Sequence, residues 1–203
     1  AHESGDPIKD FDFVAFTLQY ELCYTNVLNM LDLAGIPLHT SERGEDSPII
    51  VGGGPCAYNP EPLADFFDCF SIGEGEEHLP ELTRLYIRMK EDGSYTRSAF
   101  LHEAARSIPG TYVPSLYDVE YNPDGTVKSY TPKYDDVPPR VRKRIITDLD
   151  SVYYPTYPLM PYIETVHDRI VLEVYRGCIR GCRFCQAGMV YRPIREKSVD
   201  VLD

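Results

Sequence analysis

PIIVGGG, residues 48–54, is the stretch whose reading decides the fold. Pro48 to Val51 is apolar and predicts a strand. Three glycines end it, where backbone can approach a neighbour or a ligand closely. Upstream, FDFVAFTL (11–18) is β-branched and aromatic and predicts a second strand, this one buried on both faces. Between the two, residues 23–34 set Val27, Leu28, Leu31 and Ala34 on one helical stripe, with Gly35 as the C-cap. Downstream, 60–66 predicts a short helix and 69–72 a third strand ending in Gly73-Glu-Gly-Glu76. A longer helix is expected over 77–90, with Leu79, Leu82, Leu85, Tyr86 and Met89 on one side.

Strand–helix alternation of this kind implies parallel strands joined by right-handed crossovers, an open α/β sheet of at least three strands. Such sheets bind ligands at the carboxyl ends of their strands. Gly52, Gly53 and Gly54 sit at one such end, and Gly73 and Gly75 at another. Neither turn is a GxGxxG fingerprint or a P-loop. Glu74, Glu76 and Glu77 read as helix-start charge complementing the macrodipole.

Beyond this region, 95–105 predicts a short helix and 110–132 a hairpin whose turn is Asn122-Pro-Asp-Gly125. Residues 133–161 are rich in proline, tyrosine and charge and read as a connector over the surface. IVLEVY (170–175) predicts a strand that delivers the chain into Gly177 and Cys178. Ser198 reads as the N-cap of a following helix. The strand, loop and helix would form a βα unit, whose loop is where βα barrels carry catalytic residues.

The net charge is −12, yet the acids concentrate before Pro139 and the chain turns basic from Arg140 onward. That half would steer an anionic substrate or nucleic acid, or would be a solvated face neutralising anionic thiolates. For Arg192 and Arg195, solvent-facing and phosphate-facing roles are both open, and Gln186 and Tyr191 are candidates to line a cofactor cleft. No apolar run is long enough to cross a bilayer, so no membrane partner is expected. Cys23, Cys56 and Cys69 sit singly among apolar residues, which suits buried thiols in a reducing compartment, with the cytoplasm as the expected location. Residue 11 already reads as strand, and the 203-residue chain ends as a helix is starting. We expect an internal piece of a longer protein.

The remaining three cysteines are close together, in RGCIRGCRFCQ (176–186). Cys178, Cys182 and Cys185 are spaced CxxxCxxC, and Gly177 and Gly181 permit a tight path. Three thiolates on one short loop can face a single inorganic centre. A structural zinc site wants four tetrahedral ligands, usually in paired CxxC units, but no second pair exists and the nearest histidine is His167. A 4Fe-4S cluster held by three cysteines keeps one iron without a protein ligand, which a catalytic cluster needs.

CxxxCxxC with Phe184 before the last cysteine, following a strand, resembles the radical SAM superfamily. That resemblance implies that Cys178, Cys182 and Cys185 ligate three irons, while S-adenosylmethionine chelates the fourth through its amino and carboxylate groups. It implies reductive cleavage of the C5′–S bond to a 5′-deoxyadenosyl radical, and it puts the Phe184 backbone near the adenine. FVAFTL, the GGGP turn at 52–55 and IGEGEE at 72–77 resemble the cobalamin-binding-like domain that precedes the barrel in one branch. The joint pattern of YELCYTNVLNMLDLAGIP, GGGPCAYNPEPLADFFD and the cysteine loop is similar to members of that branch whose substrate is unknown. The DxHxxG loop that supplies a lower-axial histidine is absent, so any cobalamin would be held without it.

The expected fold is therefore an open parallel-sheet, Rossmann-like α/β domain followed by the first βα unit of a radical SAM partial TIM barrel. The expected domains are 1–94 (cobalamin-binding-like), 95–168 (hairpin and connector) and 169–203 (barrel start with the cluster loop). The resemblance implies a 4Fe-4S cluster and S-adenosylmethionine as cofactors, with cobalamin a further candidate. Gly52, Gly53, Gly54, Gly73 and Gly75 would form the cobalamin-like site. It also implies a small-molecule or flavodoxin/ferredoxin-type reductant, and RNA is one candidate substrate. The fragment alone is expected to be inactive. A different class of function is a non-catalytic corrinoid or iron–sulfur module serving as carrier or sensor.

Overall fold

The computed structural model describes residues 1–155, 157, 161–164, 166, 169 and 171–202. By its internal contacts the chain divides into two compact units, Ala1–Ile145 and Ile146–Asp203.

In the first unit, β1 (Phe13–Thr17), β2 (Ile49–Gly53), β3 (Cys69–Ser71) and β4 (Thr111–Tyr112) form one sheet in the order β1-β2-β3-β4. The first three strands are parallel, and β4 runs antiparallel to β3. This is the open α/β sheet that the strand–helix alternation implies, with an antiparallel strand added at one edge. Ile49, Ile50 and Val51 are buried on both faces, as their unbroken apolar run requires. β1 differs from expectation. It is an edge strand whose residues are only partly buried or exposed. An aromatic and β-branched run suits either position, and only the strand order puts β1 at the rim.

α1 (Tyr24–Leu33) buries Val27 and Leu31. It stops at Gly35, whose φ of 69° carries the chain into the left-handed region. The Gly35 N–H donates to the Asp32 carbonyl (2.9 Å) and the Ile36 N–H to that of Leu31 (3.0 Å), a Schellman closure. The helix expected over 60–66 is only the 3-10 turn Glu61–Leu63. Pro60 and Pro62 fall in what would be its first turn, where a missing N–H costs nothing, so the prolines do not by themselves account for the early stop.

α2 (Gly75–Glu91) buries His78, Leu82, Leu85, Tyr86 and Met89. Leu79, expected on that stripe, is 46% exposed. The buried face takes the histidine instead, one position earlier. α3 (Arg97–Ser107) is capped by the Thr96 side chain, which accepts from the Ala99 N–H (3.1 Å). The expected hairpin is shorter than 110–132. β5 (Tyr117–Tyr121) pairs with β6 (Val127–Pro132), while β4 leaves to join β3. A 3-10 turn at Pro114–Leu116 separates them, because proline cannot continue the ladder. The hairpin turn closes as its sequence predicts, the Gly125 N–H donating to the Asn122 carbonyl (2.9 Å).

Residues 133–145 return to the sheet. The Arg144 N–H donates to the Ile72 carbonyl (2.8 Å), and the Arg144 carbonyl accepts from the Glu74 N–H (3.1 Å). The Arg144 guanidinium holds Glu77 (2.6 Å) and Glu81 (2.8 Å) on α2. One cation from the basic segment is thus paired within the first unit.

His78 is 1% exposed, and its Nε2 lies 2.8 Å from the Thr111 hydroxyl. Its buried Nδ1 has no hydrogen-bond partner among the described residues. Burial, and then the nearby Arg144 charge, push its pKa down to about 4. The unfolded chain therefore takes up this proton first as the pH falls. Stability is full above the ordinary value near 6.5 and falls by about 3 kcal/mol as the pH drops toward 4. Urea unfolding at pH 7.5 and pH 4 measures this loss, and a His78→Gln variant should lose distinctly less between the same two pH values. An unchanged difference would mean that other groups carry the pH dependence.

In the second unit, β7 (Tyr175–Arg176) pairs antiparallel with β8 (Arg195–Glu196), and two single-turn helices follow the chain, α4 (Ala187–Val190) and α5 (Val199–Leu202). The strand expected over 170–175 is reduced to Tyr175 and Arg176 among the described residues, and Ile170 lies outside them. Val171, Leu172 and Val174 are exposed, with no neighbouring strand among the described residues to complete a ladder. α5 starts one residue after Ser198, where the cap was expected.

Candidate functional site

The cysteine loop connects β7 to β8, and contact between its two legs shapes it. Gly177 has φ of 104°, and a Cβ there would lie 2.4 Å from the Pro193 carbonyl oxygen and 2.7 Å from that of Tyr191. Only glycine lets Cys178 leave β7 along this path. Gly181 also takes a positive φ, 65°. The 191–193 leg is held from its other side by Arg195, which is 8% exposed. Its guanidinium donates to the carbonyls of Pro193 (3.0 Å), Tyr191 (3.1 Å) and Ile146 (2.7 Å). Arg195 was expected to face solvent or phosphate, but its charge is committed to backbone carbonyls. Lys197, also buried, donates to the Leu149 carbonyl (2.8 Å). Arg176 at the loop's entry is paired with Glu173 through two bonds of 2.8 and 2.9 Å, which keep that carboxyl below its usual pKa.

Within the loop the Cys178 sulfur accepts from the Arg180 N–H (3.4 Å), and the Cys185 N–H donates to the Cys182 carbonyl (3.1 Å). The second bond closes a turn that carries the last two cysteines. All three thiols are free; Cys182 is exposed, and Cys178 and Cys185 are half-buried. A cavity of about 420 Å³ opens beside Cys182 and Cys185, lined also by Phe184, Gln186, Met189 and Arg192 among others, while Cys178 is not on its wall. Of the two cleft candidates, Gln186 lines this cavity and Tyr191 does not. Phe184 is 92% exposed at the rim, so its side chain packs on little of the protein.

Among the described residues no three His, Cys, Asp or Glu side chains are gathered as for a single metal ion. His167 lies outside those residues. A cubane makes a different demand, because each cysteine meets a different iron and the sulfurs stand further apart than the ligands of one ion. Three unpaired thiols on one loop, beside an open cavity, have the donor chemistry such a cluster takes. The single cysteines differ. Cys56 and Cys69 are buried, and burial pushes both thiols up, so they stay protonated.

Gly52, Gly53, Gly54, Gly73 and Gly75 all lie at or just beyond the carboxyl ends of β2 and β3. The protein's own atoms crowd three of them. A Cβ on Gly52 would meet the Phe70 ring at 2.6 Å, and one on Gly73 the Arg144 carbonyl oxygen at 2.2 Å. Gly54 sits 3.0 Å from the Leu18 carbonyl oxygen by the same measure. Gly53 makes only an ordinary 3.9 Å contact with Ser71, and Gly75 opens α2 with nothing within 4 Å. The glycines of the two turns therefore serve first to let β2 pack on β3 and residue 144 reach the sheet. Sequence reasoning missed a second cavity at this edge, lined by Tyr58, Asn59, Glu61, Tyr112 and Tyr130. The available signal was the YNPE segment at 58–61, shortly after the GGGP turn.

No helix among the described residues is long and apolar enough to cross a membrane. The family model of radical SAM proteins, N-terminal, matches residues 1–114. The uncharacterized protein MJ0966 of Methanocaldococcus jannaschii is 30% identical over 203 residues, which is 98% of this chain and 35% of that protein. The chain thus spans about a third of the relative's length. Its α/β sheet lies within the matched region, and the chain belongs to the radical SAM proteins by the family of their N-terminal domain.

Proposed function

We propose that the chain carries the cluster-binding loop of a radical SAM enzyme, with Cys178, Cys182 and Cys185 as ligands to three irons of a 4Fe-4S cluster. The observation that supports this is three free thiols on one loop braced at Gly177, two of them lining a cavity, in a chain of radical SAM membership. When bound, the cluster with S-adenosylmethionine on its open iron would supply reductive C5′–S cleavage and a 5′-deoxyadenosyl radical. The chain's own part is positioning. Gly177 and the 191–193 leg set where Cys178 leaves the strand, and the 182–185 turn sets the spacing of the other two thiols. The Phe184 backbone would border the adenine, and Gln186 would line the same cleft.

Upstream, residues 1–94 would be the cobalamin-binding-like domain, 95–168 the hairpin and connector, with β4 added to the sheet's edge, and 169–203 the start of the barrel. Gly53 and Gly75 are the positions there that the protein's own atoms leave open to a corrinoid. The reductant would be a small-molecule donor or a flavodoxin/ferredoxin-type protein, and RNA is the substrate class we would test first.

Anaerobic iron–sulfur reconstitution of the full-length protein, followed by EPR of the reduced state, tests the reading. Roughly four irons per chain are expected, with a signal that changes on adding S-adenosylmethionine. Cys182→Ala should bring iron close to background. A signal indifferent to S-adenosylmethionine would remove the open iron, and near-full iron in the variant would remove the ligand assignment.

A further inference from the structure

At the carboxyl edge of the sheet a cavity of about 350 Å³ is lined by Tyr58, Asn59, Glu61, Ile72, Tyr112 and Tyr130 among others. Five separate segments meet there: the 3-10 turns after β2, the residue following β3, strand β4, strand β6 and the returning 133–145 segment at Val141. The tyrosines are held by one another. The Tyr112 and Tyr130 rings lie 6.1 Å apart, and Tyr130 stacks on Tyr117 at 4.7 Å. Burial is the main cause that raises the Tyr112 and Tyr130 hydroxyl pKa values, so both stay neutral.

Glu61 stands out by its charge. Its Oε1 accepts the Tyr112 hydroxyl, and no lysine, arginine or histidine among the described residues pairs with it. Three other buried or half-buried acids of this protein have cations. Asp68 has Arg43 and Arg97, Glu81 has Arg144, and Glu173 has Arg176. A half-buried carboxylate among neutral aromatic rings, with no basic side chain on the cavity wall, attracts positive charge and repels anions. A hard metal ion would want more oxygen ligands, and no group of three acidic or imidazole ligands is present among the described residues. Aromatic walls with one carboxylate suit an organic cation, whose charge is diffuse and whose shell is apolar. The volume is in the range of small-molecule sites.

We propose that this cavity binds a small organic ammonium ion, with Glu61 as its counter-charge and Tyr58, Tyr112 and Tyr130 as its walls. The cavity is built entirely from residues of the first unit, and the proposal does not depend on the cluster. Choline and its neutral isostere 3,3-dimethylbutan-1-ol are the probes, titrated against the protein with the tyrosine ring resonances followed by NMR. Choline is expected to shift Tyr112 and Tyr130 saturably and to bind about 10-fold more tightly than the isostere. Glu61→Gln, with its fold checked by circular dichroism, should bring choline down to the isostere's affinity and leave the isostere unchanged. Equal affinity of the two probes for the unaltered protein would overturn the proposal whether or not the variant folds, and so would choline that fails to saturate.

Discussion

Asp68→Ala should destabilise the 1–145 unit by about 3–5 kcal/mol, the largest effect expected of any single substitution in the sheet. Asp68 is 3% exposed. One of its oxygens, Oδ2, accepts from Arg43 Nη1 (3.0 Å), Arg97 Nη2 (2.7 Å) and the Ile50 N–H (2.7 Å). Both guanidiniums also donate to carbonyls, Arg43 to Pro37, Leu38 and Phe66, and Arg97 to Ser47 and Pro48. They tie the entrances of β2 and β3 to the loops around them. Burial lowers the Arg43 pKa and the Asp68 charge opposes that. Removing the carboxylate leaves two buried cations without counter-charge and one strand N–H without an acceptor. Asp68→Asn separates the two losses, since an amide oxygen can still accept from Ile50 but carries no charge. Urea unfolding of the three chains measures both. A shift below about 1 kcal/mol for Asp68→Ala would mean that water or a rearranged side chain replaces the carboxylate.

Gly177→Ala should disable the cysteine loop while leaving the first unit intact. The new Cβ would sit 2.4 Å from the Pro193 carbonyl oxygen, a backbone atom, and at φ of 104° the residue is strained even without that contact. Strain of roughly 1–3 kcal/mol and a comparable overlap term are expected locally. The two legs of the loop must part, and Cys178 moves away from Cys182 and Cys185. The expected result is a severalfold drop in iron retained after reconstitution, with the urea midpoint of the 1–145 unit unchanged. Gly188→Ala is the control, because a Cβ there meets nothing within 4 Å. Iron retained equally by Gly177→Ala and Gly188→Ala would show that contact with the 191–193 leg does not shape the loop.

Much of the sheet could be read from local pattern. The run 48–51 announced a strand, and the strand order then made it a central one buried on both faces. Gly35 and the NPDG turn announced their own conformations, because positive φ and a fixed proline φ are properties of the residue itself. The face of α2 was misjudged at Leu79, because His78 and Leu79 are both near the stripe and only the Thr111 hydroxyl made the histidine the better buried one. The 3-10 turn at Glu61–Leu63 was over-read as a helix, because prolines at 60 and 62 are compatible with a helix's first turn and carry no local stop signal. The three cysteines could be read from spacing alone. Their support could not, since Pro193 and Arg195 lie in a part of the chain that carries no local signal for contact with Gly177.

Sequence by itself determined the parallel β1-β2-β3 core, the cysteine loop and its candidate ligands, because these depend on short-range periodicity and on ligand spacing along the chain. Tertiary structure decided which strand stands at the edge, that β4 joins antiparallel, and that Gly73 is crowded by residue 144 of the same unit. It also decided that Glu61, far in sequence from Tyr112 and Tyr130, shares a cavity with them. Each of these depends on contact between distant segments, and distance along the chain carries no information about distance in space until the core has formed.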